Sequence, residues 1–525
     1  MAASLAAVLC WTAPPGTDFA AHVYQRTVFI HHGFQLWNNL WYAGHYSFVT
    51  YSVLYYPLAA LLGIRPLAVL TVAVGTFAFA VVLRREWGSD ARWSSVAFGA
   101  VWAGFVLTGA FPFALGTSLS LLAILALQRG SRRSFVLWST LSLAASPLAF
   151  LLLAVLLAGV AIARHEAGRR LVWPAVTIAV LGGTEALLWR LFPSGGRYPF
   201  SLKELFWAMG FSATVVILSW RVERARLLRY IFLAYGAACI AAFLVHSAVG
   251  QNMDRLRFVA IPVIVLALSL RGWRPRALSA ALLSVVIFWN VSPLATGFLN
   301  SSGDPAAREA YWAPAVQFLK THLTPSYRVE VVGTARHWEA VYLPRVGIPL
   351  TRGWFRQDDY PLNEVLYDHL TRGAYLQWLH ALGVRYVLLT TSTPDYSART
   401  EVVLLRSGRS GLRPIFHDGE VTVFAVPAPE PLIRGAGPAR ILSRSQTGFL
   451  MRLGAPGAYR VAVRYSPYWK SDAGCVSRDE NGMTRLTVSR PGVVSLAFRV
   501  NGGRALGALL DNVPAWCARG TAAGP

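Results

Sequence analysis

Charge is what this sequence has least of. Only 14% of its 525 residues are Asp, Glu, Lys or Arg against 55% hydrophobic, whereas an ordinary soluble domain is roughly 25% charged. With a mean hydropathy of +0.44, that deficit excludes a chain that is soluble throughout, because so much apolar surface needs lipid to cover it. Acids are the scarcer sign: 25 Asp and Glu face 49 Lys and Arg, a net charge of +24. In a soluble protein this would suggest nucleic acid. Here the arginines sit in short clusters between apolar stretches of span length, where they read as topology signals and not as a nucleic-acid surface.

Other things are missing. No Walker A loop occurs, which argues against ATP-driven transport, and Gly333 belongs to no Gly-x-Gly-x-x-Gly fingerprint. Heptads, low-complexity tracts and short solenoid repeats are absent. No spacing of His, Cys and Asp matches a zinc pattern; His31 and His32 are adjacent and would point differently on a helix. There are four cysteines. Cys10 and Cys239 lie in apolar segments and read as small buried side chains. Cys475 and Cys517 share the last soluble stretch, which the topology puts in an oxidising compartment where a disulfide can form, although spacing does not say that they pair.

What is present divides the chain by solvent. Residues 1–299 hold nearly all the long apolar runs. The arginine clusters are Arg84, Arg85 and Arg92; Arg129, Arg132 and Arg133; Arg164, Arg169 and Arg170; Arg221, Arg224, Arg226 and Arg229; and Arg271, Arg274 and Arg276. With these loops inside, spans fall near 66–83, 94–110, 114–128, 134–149, 150–163, 171–192, 204–220, 229–248, 256–270 and 277–299. An opening segment at 1–13 makes about eleven crossings, several shorter than the ~17 residues of a straight span. The N-terminus is then cytoplasmic and the C-terminal region extracytoplasmic, as the positive-inside rule demands. The opening segment has no basic flank ahead of it and so does not read as a signal peptide. Leu9 before Cys10 does not suit a lipoprotein signal.

The expected architecture is a polytopic α-helical membrane domain over 1–299 with a long first external loop at 14–65, an external α/β domain over 300–430, and an external β-sandwich over 431–525. Within the first loop, 47–63 is rich in tyrosine and reads as an interfacial or re-entrant helix. In the external part, a helix over 306–322 leads into a strand at 328–333, and a helix at 374–382 feeds a strand at 384–390, an α/β alternation. After Pro427, Pro429 and Pro431 the pattern turns to period two at 459–465, 484–488 and 493–500, as in a sandwich.

Two groups of residues can carry chemistry. Asp18 stands after the opening segment, with His22 at i, i+4 on the same helix face; the plainer reading makes Asp18 a first-turn acid of an interfacial helix. The second is the polar loop Gly250, Gln251, Asn252, Met253, Asp254 and Arg255, which topology places on the same face as Asp18. Arg255 suits a lipid-linked phosphate through its forked, permanently charged donors; the plainer reading pairs it with Asp254, and Arg257 could share either role. Trp312, Trp338, Trp354 and Trp378 could stack on sugars, although core packing explains buried tryptophans equally well.

Thr17, Asp18, Phe19 and His22, followed by Trp37, Trp41, Gly44, Tyr55, Tyr56 and Pro57, resemble the first external loop of GT-C-type membrane glycosyltransferases. They look closest to bacterial membrane proteins labelled 6-pyruvoyl-tetrahydropterin synthase-related, although nothing in the residues suggests pterin chemistry. Asn252 with Arg255, then Gly353, Trp354, Phe355, Arg356 and Gln357, then Tyr465, Ser466, Pro467, Tyr468 and Trp469, resemble the same set. The resemblance implies a polyprenyl-phosphate-linked sugar donor, an external site, and an envelope glycan or lipid acceptor. Asp18 would be the general base, or would position the acceptor or a metal, with His22 orienting it or touching donor phosphate. Arg255 and Asn252 would hold that phosphate, and Trp354 and Trp338 the acceptor. No cofactor is certain; a divalent metal stays open, although no second acid stands in the loop 192–203. Two other readings are a non-catalytic scaffold or glycan-binding protein of the same fold, and a secondary transporter. The transporter ranks last: Glu185 and Arg190 lie toward one end of their segment, and no internal repeat is found.

Overall fold

Apolar sequence in the first half folds into helices whose ends are set by capping residues, proline and arginine. The structure is a computed structural model that describes residues 1–164, 169–193, 195–510, 512 and 515–517. Among the described residues it divides into two units, the first formed by Met1–Ile30, Tyr51–Leu187 and Gly196–Gly303. Its helices are Ala2–Thr12 (α1), Phe19–His32 (α2), Tyr55–Leu62 (α3), Ile64–Trp87 (α4), Arg92–Gly104 (α5), Phe111–Gln128 (α6), Arg132–Ala145 (α7), Pro147–Ala163 (α8), Arg169–Leu191 (α9), Leu202–Ser219 (α10), Arg226–Leu244 (α11), Ala260–Leu270 (α12) and Arg276–Ser301 (α13).

Local chemistry explains several of these ends. Ser146 caps α8 by accepting from the Ala149 amide, with Pro147 in the first turn. Ser201 accepts from the Glu204 amide at the start of α10, a Ser-x-x-Glu spacing. Arginines stand at the opposite ends: Arg84 and Arg85 close α4, Arg129 follows α6, Arg164 follows α8 and Arg271 follows α12. The side chains of Arg169 and Arg170 lie outside the described residues. Helices pack closely through small residues; a Cβ on Gly159 of α8 would stand 2.5 Å from the Ile231 Cα of α11.

Among the described residues six helical stretches are long and apolar enough to cross a membrane: Ile64–Thr108, Phe111–Gln128, Val172–Leu191, Leu202–Ser219, Glu223–Leu244 and Arg276–Ser301. α1 and α8 are apolar but shorter. The stretch 47–63, expected as one interfacial or re-entrant helix, is helical only over Tyr55–Leu62 and meets α4 at Gly63, whose φ is +85°. The preceding residues form turns.

The second unit is formed by His31–Thr50, Leu188–Gly195 and Asp304–Pro525. Its first piece is a small hairpin, Trp37–Asn38 (β1) against His45–Tyr46 (β2), from within the loop the sequence reading kept with the membrane domain. Next comes an α/β layer: Glu309–His322 (α14), Arg328–Val331 (β3), Glu339–Arg345 (α15), Arg372–Ala381 (α16), Val384–Thr390 (β4), Arg399–Arg406 (α17), Arg413–Asp418 (β5) and Val421–Ala425 (β6). The sheet order is β3-β4-β6-β5, with β3 and β4 parallel and the remaining pairs antiparallel. β4 spans the predicted 384–390, a buried apolar run bounded by Gly383 and Thr391.

Two antiparallel sheets follow. One contains Ile433–Gly435 (β7), Gly457–Arg464 (β10), Cys475–Arg478 (β12), Met483–Val488 (β13) and Trp516–Cys517 (β15); the other contains Ala439–Ser445 (β8), Gly448–Leu453 (β9), Trp469–Ser471 (β11) and Gly492–Phe498 (β14). Their shared core includes Met451, Tyr459, Trp469, Leu486 and Leu496, with Trp37 packed among them. Cys475 and Cys517 are disulfide-bonded across the β12–β15 pair.

Candidate functional site

Asp18 is held by the turn between α5 and α6. Its backbone N–H donates to the Thr108 carbonyl at 3.1 Å. Gly109 has a φ of +77°, and a Cβ there would meet the Phe19 nitrogen at 2.7 Å; only glycine lets the two segments approach this closely. The other side comes from the 3-10 helix Gly250–Val259 that joins α11 to α12. From it Arg255 extends to place Nη2 4.0 Å from Asp18 Oδ2. Arg255 Nε donates to Asn252 Oδ1 at 3.1 Å, and its guanidinium lies 5.2 Å from the Phe113 ring centroid. Asp254, the local partner the plainer reading gave Arg255, instead accepts from Arg257 at 3.1 Å. Burial pushes the Asp254 carboxyl up to about 7 against the pull of Arg257.

The chain's alternation puts this pair at one end of the helical unit. α5 leaves Arg92 and ends beside the Thr108 turn, α6 returns to Arg129, α11 leaves Arg226 and ends beside Arg255, and α12 returns to Arg271. Asp18, Asn252 and Arg255 therefore share the end away from the arginine clusters.

His22 is fully buried. Its Nδ1 is 3.3 Å from the Tyr56 hydroxyl, and the rings of Tyr51, Tyr55 and Phe111 surround it at 5.4–6.1 Å. Burial, reinforced by the Arg255 charge, pushes its pKa down to about 3, so the imidazole is neutral at physiological pH. Tyrosines of the stretch read as an interfacial or re-entrant helix thus enclose a histidine. The adjacent Tyr55 and Tyr56 before Pro57 were the available signal for this.

A cavity of about 870 Å³ opens beside Arg255 and runs between α4, α5, α6, α8, α11 and α12. One face of α6 lines it from Phe113 to Gln128, about 22 Å at 1.5 Å per residue. Its walls are mostly apolar, as at Leu121, Ile124, Leu152 and Val263; Arg255 stands at one end, and Glu86, Arg132 and Arg164 at the other. Sequence reasoning missed this lining because helices apolar all round show no face to single out.

In the second unit the four tryptophans separate. Trp312 is fully buried and donates to the Ala306 carbonyl; Trp378 donates to the Leu362 carbonyl; Trp338 is buried and stacks on Tyr342 at 5.8 Å. Trp354 lines a cavity together with Tyr42, His337 and Arg356. Beneath that cavity Arg352 bridges Glu330 and Glu401, at 2.8 Å from the latter, and burial drives Glu330 well above the ordinary carboxylate range despite Arg352. Beside it Asp395 pairs with Arg356 at 3.1 Å and lies 3.7 Å from His337. Burial works to raise Asp395, but His337, Arg356 and Ser397 outweigh it and hold it at about 2. Among the described residues no group of three or more His, Cys, Asp or Glu could hold a metal ion.

No protein-family model matches the chain, and no curated protein matches it. Among solved structures it is similar to the arabinofuranosyltransferase AftD from Mycobacteria, at 17% identity and a TM-score of 0.48, over 81% of this chain and 39% of that one. A mutant of that transferase gives 16% identity and a TM-score of 0.48 over 89% and 43%. The archaeal oligosaccharyltransferase AglB from Archaeoglobus fulgidus, in complex with an inhibitory peptide and a dolichol-phosphate, gives 13% identity and a TM-score of 0.33 over 74% and 68%. The chain spans well under half the length of the arabinofuranosyltransferase.

Proposed function

We infer that this chain is a membrane glycosyltransferase of the GT-C type, which moves a sugar from a polyprenyl-phosphate donor to an envelope glycan or lipid. The observation that carries the reading is the placement of Asp18 beside Arg255, which lines one end of a long, mostly apolar cavity. A carboxylate, a permanent cation and an isoprenoid-length slot are the three things that such a transfer asks for. With the arginine clusters cytoplasmic, the pair and the soluble unit face outward, where lipid-linked envelope sugars are used.

In this reading the donor's isoprenoid chain lies along α6 and its phosphate meets Arg255, whose fork Asn252 orients. The acceptor hydroxyl attacks the anomeric carbon as the bond from that carbon to the phosphate oxygen breaks. Asp18 takes the hydroxyl proton, and Arg255 stabilises the departing polyprenyl phosphate with its electron pair. His22, neutral and walled in by aromatic rings, positions the start of α2 behind Asp18. The test is Asp18→Asn in proteoliposomes supplied with polyprenyl-phosphate sugar. Transfer should fall at least 100-fold with an unchanged melting temperature, and full activity in this variant would refute the assignment.

A further inference from the structure

The cavity beneath Trp354 lies where an open α/β sheet ordinarily binds ligands, beyond the carboxyl ends of its parallel strands. Gly333 follows β3 and Ser397 follows β4, and both line it. The interior is about 20 Å³, room for one water-sized group. His337, Arg356, Glu339, Asp359 and the ring of Tyr42 line that room. His337 Nδ1 lies 3.1 Å from Glu339 Oε1, Arg356 pairs with Asp395 and Asp359 accepts from the Tyr367 hydroxyl, so an entering hydroxyl would share groups that are already hydrogen-bonded. Tyr42, Glu339 and Asp359 are all more than nine-tenths buried, so the polar wall is built into the unit and is not a surface accident.

The mixture of signs limits what can enter. An anion would meet Glu339 and Asp359, and a cation would meet Arg356 and the adjacent Arg352. A neutral hydroxyl can donate to a carboxylate and accept from a guanidinium or imidazole at once. Trp354, half-buried at this cavity, adds a flat apolar face of the kind a sugar ring covers. Two of the lining residues, Tyr42 at φ +55° and His337 at φ +54°, hold left-handed backbone conformations, a strain that collects at functional sites.

We propose that this cavity is a carbohydrate-recognition subsite that takes one hydroxyl or hydroxymethyl group of a neutral sugar while the ring lies on Trp354. As an acceptor-reading site it rests on the transferase reading; as a sugar-binding site it does not.

The test uses the full chain in nanodiscs with the methyl glycosides of glucose, mannose, galactose and arabinose, read by saturation-transfer difference NMR. At least one glycoside should receive saturation, and Trp354→Ala should weaken that signal at least fivefold. Should that variant fail to fold, His337→Gln decides in its place by the same loss. Asp18→Asn should leave the signal intact. No signal from any glycoside, a signal indifferent to both variants, or a signal displaced by millimolar inorganic phosphate would each overturn the subsite. Normal glycoside binding in a chain that transfers no sugar from a polyprenyl-phosphate donor would remove the transferase reading and leave the subsite standing. Absent binding in a chain whose transfer depends on Asp18 would do the reverse.

Discussion

Asp18 Oδ2 lies 4.0 Å from Arg255 Nη2, joining the start of the chain to the loop between α11 and α12. Both side chains keep some solvent, 15% for Asp18 and 22% for Arg255, so the pair contributes at most about 1 kcal/mol to stability. A hydrogen bond from Arg255 to a bound phosphate is worth more, about 1.5–3 kcal/mol. Arg255→Ala should therefore lower kcat/KM for the lipid-linked donor by about 10- to 100-fold while moving Tm little. Arg255→Lys should fall between, since it keeps the charge and loses the fork. Donor-dependence kinetics and a thermal melt, on the same preparations, check both halves.

Helix positions in the first unit were legible because arginines and apolar runs alternate. Each predicted segment from 66–83 to 277–299 carries a helix, with ends within a few residues. Strand β4 and the period-two strands near 459–465 and 484–488 were legible for the same reason, an apolar pattern with turn residues at its ends. The contact between Asp18 and Arg255 was legible only as a shared face. Three things were not: the membership of Trp37 in the sandwich core, the cage around His22, and the cavity along α6. Each depends on which side of an all-apolar or aromatic-rich segment faces a partner distant in sequence, and no local period records that.

If the cavity holds an isoprenoid chain, narrowing it should discriminate by chain length. Ile124 lines it about three turns, roughly 16 Å, from Phe113, beyond the reach of a ten-carbon chain whose phosphate meets Arg255. Ile124→Trp should raise KM for a long-chain polyprenyl-phosphate sugar about tenfold, near 1.4 kcal/mol, and leave a ten-carbon donor nearly unaffected. Equal loss for both donors would mean that the chain lies elsewhere.

His22 gives the pH dependence a sign. Its pKa in the folded chain, about 3, lies below the ordinary 6.5, so below pH 6.5 the unfolded state binds the extra proton. Stability from keeping the ring neutral is full above 6.5 and is lost as pH falls toward 3, at up to about 1.4 kcal/mol per pH unit. His22→Gln should flatten this part of the Tm profile between pH 6.5 and 4. A profile as steep in the variant as in the parent would assign the acid sensitivity to other groups.

The second unit offers a complementary case, in which removing a charge is worse than keeping it. Arg352 is nearly buried and satisfies two fully buried acids, Glu330 and Glu401. Arg352→Met keeps much of the side-chain volume but leaves both carboxyls without their cation, a change that costs about 3–5 kcal/mol when a buried pair is broken. The orphaned acids can escape by protonating. Without the guanidinium their charged forms are disfavoured further, so relative to the parent the variant is least destabilised below pH 4 and loses ground as pH rises through the carboxyl range. The Tm gap between parent and Arg352→Met should therefore widen from pH 4 to pH 8. A constant gap would show that packing, and not the uncompensated charge, sets the cost.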